Sequence, residues 1–125
     1  MTFRATLDAH LDAIRRRDLS ALMATLPPRD ESIVLITAEG KLVRSVAEFE
    51  AAHRGWFESA TWSMGVEPVE VFESTDLGVA VLRLDYRDAP ADGPPVRQGS
   101  YLTLVFARRD GRWVMVQDQN TPSRS

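Results

Sequence analysis

The sequence predicts an α+β fold, in which three helices pack into the hollow of a cone-shaped, curved sheet that is antiparallel or mixed. Apolar residues recur every three or four positions near the start of the chain, a period typical of amphipathic helices. After Trp62 the apolar period falls to two, which is typical of strands. The length of 125 residues is close to the commonest domain size, so we expect a single domain over 1–125.

The first two helices are predicted from an apolar stripe and from their ends. A helix over 3–17 accounts for the spacing of four apolar residues, Phe3, Leu7, Leu11 and Ile14. Thr2 precedes this helix and Asp18 precedes a second one over 19–25, and both residue types cap helix N-termini. Pro27 then ends the helical region, because the residue before a proline disfavours helical geometry.

Two short strands and a third helix follow. The segments 32–38 and 42–44 are short and rich in β-branched and aliphatic residues, so they predict a pair of strands joined by a turn. The third helix is predicted to begin at Ser45, because Ser45 and Glu48 have the spacing of a capping box. It runs to Phe57.

Four longer strands are predicted to complete the sheet, over 66–72, 79–87, 96–109 and 112–120. Pro68 lies in the first of them and indicates an edge strand or a bulge, since proline donates no ladder hydrogen bond. Asp110 and Gly111 predict a two-residue hairpin turn of the primed type between the last two strands.

Strict alternation from that turn predicts which side chains of the last two strands face inward. The expected inner set is Leu102, Leu104, Phe106, Trp113, Met115, Gln117 and Gln119. Asp118 falls on the opposite face in this register. That face also carries apolar residues, so a second copy of the chain is expected to cover it, which predicts a homodimer through the outer sheet face.

Charge and composition exclude several classes of partner. Fifteen Lys and Arg residues against eighteen Asp and Glu give a net charge of −3, whereas a nucleic-acid binder usually carries an excess of clustered base. No apolar run approaches the ~20 residues of a membrane span. The first residues, Met1 to Arg4, lack the long apolar stretch of a signal peptide. We therefore expect a cytoplasmic protein that contacts neither nucleic acid nor membrane.

No metal and no cofactor are predicted. The chain has no cysteine, which excludes disulfides and thiolate metal ligands. Its two histidines, His10 and His53, are far apart in sequence, and neither has a carboxylate at metal-ligand spacing. His10 lies beside the first apolar stripe and is interpreted as a helix-edge residue.

The order of the elements and the last hairpin resemble a known superfamily. Gly111-Arg112-Trp113, followed by the polar stretch 117–121 (Gln-Asp-Gln-Asn-Thr), is similar to the nuclear transport factor two-like superfamily and, within it, to small bacterial SnoaL-like proteins. The resemblance covers nearly the whole chain. It implies a cone whose open end admits a small, largely apolar ligand, and dimerisation through the outer sheet face.

Members of this superfamily include ketosteroid isomerases, polyketide cyclases, epoxide hydrolases and many non-enzymatic proteins, so the fold does not fix the activity. The isomerases carry a tyrosine on the first helix, whereas this sequence has only Tyr86 and Tyr101. Related proteins often place histidine near the end of the last strand, where this chain has Gln117 and Gln119. Glutamine can orient a ligand, but it cannot transfer protons near neutral pH.

His53 is the first candidate for proton transfer, because it shares a helix face with Trp56 and should point into the cone. As a general base it would need an acceptor that orients the ring. Asp118 is the carboxylate expected nearest the cone mouth, although a bulge would be needed to turn it inward. The alternative is a structural His53, hydrogen-bonded to the backbone or to Gln119.

The predicted ligand-binding residues are Trp56, Tyr86, Leu102, Leu104, Phe106, Met115, Gln117 and Gln119. The expected partner is a small apolar or polycyclic molecule, and any reaction on it would be a proton transfer of the isomerase, cyclase or hydrolase-like type. The alternative function is a non-catalytic dimeric structural or interaction module with a filled interior. A void of roughly 300 Å³ or more would favour the first function.

Overall fold

The structure, a computed structural model, describes residues 1–124; Ser125, the last residue of the expected domain, lies outside them. Three helices and six strands follow one another along the chain. In order they are α1 (Phe3–Arg16), α2 (Leu19–Met23), β1 (Ser32–Ile36), β2 (Leu42–Ser45), α3 (Val46–Phe57), β3 (Trp62–Glu73), β4 (Leu77–Asp88), β5 (Val96–Arg109) and β6 (Arg112–Pro122).

All six strands form one mixed sheet, in the order β2-β1-β6-β5-β4-β3. The β1–β6 pair is parallel, and every other neighbouring pair is antiparallel. The sheet curls and its hollow holds the helices, which confirms the predicted α+β class.

The helix ends follow the predicted capping chemistry. Thr2 accepts a hydrogen bond from the amide of Ala5 at 3.0 Å and so caps α1. The helix ends at residue 16, one residue earlier than predicted, because Arg17 has a left-handed φ of 56°. At the start of α3 the Ser45 hydroxyl accepts from the Glu48 amide at 3.1 Å.

Strands β3 and β4, at one edge of the sheet, extend beyond their predicted ends. β3 and β4 pair from Trp62 and Asp88 at one end to Glu73 and Gly78 at the other. Both strands are longer than predicted, because their ladder of backbone hydrogen bonds continues past the predicted ends. The prediction from Pro68 is confirmed on both counts, since β3 is an edge strand and its register shifts just after this residue.

The core lies between α1 and the inner face of the sheet. Phe3 is fully buried and its ring packs 5.6 Å from Phe106 and 5.4 Å from Trp113, measured between ring centroids. The same ring lies over the backbone of Gly78, where an added Cβ atom would come within 2.5 Å of it. The first helix can approach β4 this closely only because position 78 has no side chain.

The predicted register of β5 and β6 is wrong beyond the first few pairs. Phe106 pairs with Met115 as predicted, but Val105 pairs with Gln117, so Val116 is an extra residue in β6. This bulge reverses the faces of every later residue in the strand. Asp118 therefore turns inward.

The reversal moves the two glutamines of β6 to the outer face. Gln117 is half-buried there, and Gln119 is exposed. The same face exposes apolar side chains, including Phe72 and Tyr101, which are 57% and 39% accessible. The homodimer through this face stays a prediction.

Among the residues that the structure describes, no helix combines the length and the apolar character needed to cross a bilayer.

Replacing Gly78 by Ala is expected to lower the free energy of unfolding by roughly 1–3 kcal/mol, because the new methyl group overlaps the buried Phe3 ring. Gly65→Ala on β3 is the matched control, since a Cβ there meets its nearest atom at an ordinary 3.8 Å. Urea unfolding of both variants measures the difference. Equal midpoints would show that Phe3 does not need the glycine.

Candidate functional site

A pocket of about 630 Å³ opens between α3 and the inner face of the sheet. Leu35 of β1, Met64 of β3 and Leu84 of β4 give the wall much of its apolar surface. Ile14 of α1 and Ala52 of α3 line it from the helical side. A volume in the range of about 300–1,000 Å³ suits a small organic ligand.

Five of the predicted site residues line this pocket: His53, Trp56, Tyr86, Leu102 and Asp118. The other five do not. Leu104, Phe106 and Met115 face inward but are wholly buried in the core below the pocket. Gln117 and Gln119 face outward because of the bulge at Val116, so the prediction that they line the cone is wrong.

Asp118 is a carboxyl group with little access to water. It is only 6% accessible, and the surface that remains faces the pocket. Burial raises its pKa from 3.8 to about 7, because removing water from the carboxylate disfavours the charged form. No ion pair within residues 1–124 compensates for this loss. Near neutral pH the group can therefore act as an acid.

His53 presents a basic nitrogen. Its Nδ1–H donates to the carbonyl oxygen of Phe49 at 2.8 Å, and since a carbonyl only accepts, the lone pair of the neutral ring lies on Nε2. Burial lowers the pKa of this imidazole below its usual 6.5, which keeps the ring neutral at pH 7 and its Nε2 lone pair available to accept a proton. The group that orients the ring is therefore the helix backbone, which was one of the predicted alternatives, and not Asp118.

Stacked aromatic rings hold both His53 and Trp56 in place. The imidazole stacks on Phe49 with a centroid distance of 3.9 Å. The indole of Trp56 stacks on Trp62 at 4.2 Å, and the Trp62 indole N–H donates to the Trp56 carbonyl at 3.0 Å. Tyr86 completes this wall from β4, 6.3 Å from Trp56. The pocket therefore has one rigid aromatic side.

Sequence reasoning missed several polar residues of the pocket. Ser100 and Gln98 come from β5, Asn120 comes from β6, and Thr37 follows β1. The side-chain oxygen of Asn120 is buried and has no hydrogen-bond partner within the described residues. The i, i+2 spacing places Asn120 on the same face as Asp118, so the register of β6 was the signal needed to find it.

His10 lies in the core and not at the helix edge where the sequence placed it. It is fully buried, because its ring lies between Thr25 and the edge-to-face ring of Phe106, whose centroid is 5.6 Å away. Its Nδ1 lies 2.7 Å from the hydroxyl oxygen of Thr25, which gives its own proton to the carbonyl of Leu22. His10 is therefore the donor, and its Nε2 has no hydrogen-bond partner among residues 1–124. Burial, with a smaller effect from His53, lowers its pKa to about 3.

No three His, Asp or Glu side chains within residues 1–124 come together as a metal site.

The curled sheet, the helices in its hollow and the pocket between them define the nuclear transport factor two-like fold. The chain belongs to the SnoaL-like domain family, whose model matches residues 3–121, and this confirms the resemblance given by the last hairpin. Among curated proteins, none matches the sequence.

Several solved structures share the fold. One is a proposed association domain of calcium/calmodulin-dependent protein kinase type II from Thiobacillus denitrificans, with a TM-score of 0.81, 22% identity, and coverage of 98% of this chain and 96% of that chain. A proposed dehydratase of the NTF2-like family from Streptomyces avermitilis has a TM-score of 0.78, 16% identity, and coverage of 98% and 94%.

A proposed ketosteroid isomerase from Shewanella frigidimarina is also similar, with a TM-score of 0.74, 15% identity, and coverage of 94% of this chain and 92% of that chain. At these identities the likenesses establish the fold alone.

The imidazole of His10 is expected to stay neutral in the folded chain between pH 8 and pH 5. The unfolded chain takes up a proton at His10 near pH 6.5 and the folded chain does so only near 3, so the free energy of unfolding falls as the pH drops below 6.5. Histidine ring signals in NMR spectra recorded across this range check the first statement. A folded-state titration of His10 near pH 6.5, as in the urea-unfolded chain, would contradict it.

Replacing Asp118 by Asn is expected to raise the free energy of unfolding at pH 8 by roughly 2–4 kcal/mol, and by much less at pH 4.5. A carboxyl whose pKa rises from 3.8 to about 7 on folding destabilises the folded state as the pH climbs through that interval. Asp85→Asn is the control, because it removes the same charge from the outer face, where Asp85 pairs with Arg97 at 3.1 Å. Urea unfolding at both pH values measures the effect. An equal gain in the free energy of unfolding at pH 8 and pH 4.5 would refute the raised pKa of Asp118.

Proposed function

We propose that the chain binds a small, largely apolar, carbonyl-bearing molecule in this pocket and transfers a proton to and from it. The observation that carries the proposal is the presence of a base and an acid in one pocket. The Nε2 atom of His53 has its lone pair free, and the buried carboxyl group of Asp118, with a pKa of about 7, still carries its proton in part of the molecules at pH 7.

The two groups suit the two halves of an enolisation. Nε2 of His53 takes a proton from the carbon beside the carbonyl. The electron pair of that C–H bond forms a carbon–carbon double bond, and the π electrons of the carbonyl group move to its oxygen. The carboxyl group of Asp118 donates its hydrogen bond or proton to that oxygen, where negative charge develops. In a substrate that carries a carbon–carbon double bond next to the reacting carbon, His53 can return the proton to the far end of the resulting dienol. The oxygen then gives back to Asp118 any proton that it received, the carbonyl group forms again, and the net change is an isomerisation.

The other residues that line the pocket suit the apolar part of the proposed substrate. Trp56, Met64 and Leu84 offer apolar surface to a ring system, and Tyr86 adds a hydroxyl group beside it. The names isomerase and dehydratase, given to two of the similar structures, are compatible with proton transfer. The cavity of about 630 Å³ argues against the alternative of a structural module with a filled interior.

Exchange of carbon-bound hydrogen for deuterium tests the proposal without knowledge of the natural substrate. With 2-tetralone, a bicyclic ketone, in D2O, we expect the protein to accelerate exchange at the carbons beside the carbonyl, measured by proton NMR. His53→Gln should reduce the protein-dependent rate by a factor of at least ~10², because the amide cannot accept the proton. Arg54→Gln, on the exposed side of the same helix, is the matched control.

The rate should also depend on pH in a bell shape. It should fall above about pH 7, where Asp118 ionises, and fall on the acid side below 6.5, where His53 becomes protonated. Asp118→Asn should remove the alkaline limb. If the ketone binds, as a thermal shift would show, and yet exchanges at the rate of buffer alone, the protein is a binding protein and the catalytic part of the proposal is wrong.

A further inference from the structure

We infer, on the basis of the proposed function, that the substrate is electrically neutral and that this pocket excludes carboxylates and phosphates. The inference rests on the set of fixed charges along the wall. The titratable groups that line it are Glu39, His53, Tyr86 and Asp118. None of the described lining residues is Lys or Arg.

Two arginines close to the pocket are already engaged elsewhere. Arg17 donates to the carbonyls of Ser59 and Trp62, and its guanidinium lies 4.1 Å from the centre of the Trp62 ring. Arg97, on the outer face of β5, forms an ion pair with Asp85 at 3.1 Å. Neither can meet an anionic group inside the pocket without giving up these contacts.

An anion that entered would lose water and gain no counter-charge. Burying an unpaired charge costs several kcal/mol. Because the pKa of Asp118 is about 7, part of this carboxyl group is ionised at pH 7, and that ionised form adds repulsion together with Glu39. His53 gives no relief at pH 7, because its ring is neutral with its Nδ1–H already donated to Phe49. A neutral carbonyl compound meets none of these penalties.

A cation would behave differently from both. An ammonium group beside Asp118 favours the ionised carboxylate, so a cationic ligand is expected to bind. It would at the same time remove the acidic proton that the proposed reaction uses. A cation is therefore expected to inhibit and not to react.

Three ligands of one shape test the inference at pH 7: 2-naphthalenemethanol, 2-naphthylmethylamine and 2-naphthoate, titrated by calorimetry. We expect the alcohol and the amine to bind and the carboxylate to bind at least about tenfold more weakly than the alcohol. The amine should also slow exchange of 2-tetralone. Asp118→Asn should narrow the gap between alcohol and carboxylate, whereas Asp85→Asn on the outer face should leave it unchanged.

The outcomes separate the two proposals. Binding of 2-naphthoate as tight as that of the alcohol, or tighter, would overturn the charge selectivity and leave the pocket standing as a binding site. A gap that survives unchanged in Asp118→Asn and in Glu39→Gln would also overturn it, since the wall carboxyl groups would then not be its cause. Failure of all three compounds to bind would instead remove the proposed binding function.

Discussion

The whole candidate site depends on one extra residue in the last strand. Val116 has no partner in β5, and this bulge turns Asp118 from the outer face of the sheet to the inner one. Without it, Gln117 and Gln119 would face the pocket and Asp118 would not. Bulges are frequent next to active sites because they re-aim side chains at the cost of local pairing.

A second constraint is the supply of hydrogen bonds inside the pocket wall. His53 satisfies one ring nitrogen within its own helix, through the carbonyl of Phe49, so the other nitrogen stays free for a ligand. Asp118 is the opposite case, because burial removes water from its oxygens without an ion pair to compensate. Burial of this carboxyl group destabilises the folded state, and the group lies at an open cavity. Titratable groups with strongly shifted pKa values in a cleft are candidates for functional residues.

The order of the elements and the α+β class could be predicted from the sequence, because these depend on local signals. The capping serine at 45, the Asp110-Gly111 turn and the change of apolar period at Trp62 all act over a few residues. The position of Asp118 could not be predicted, because no glycine or proline marks the bulge and the run from Trp113 to Val116 is apolar on both faces. The burial of His10 was missed because its neighbours Thr25 and Phe106 are brought to it only by the tertiary fold.

The stacked pair Trp56 and Trp62 has an optical consequence. These are two of only three tryptophans in the chain, and their rings lie 4.2 Å apart with an interplanar angle of 18°. Indoles this close couple electronically, so light absorbed by one is shared with the other. Because Trp56 forms part of the cavity lining and Trp113 is in the core, intrinsic emission and near-ultraviolet dichroism should report occupancy of the cavity without any added label.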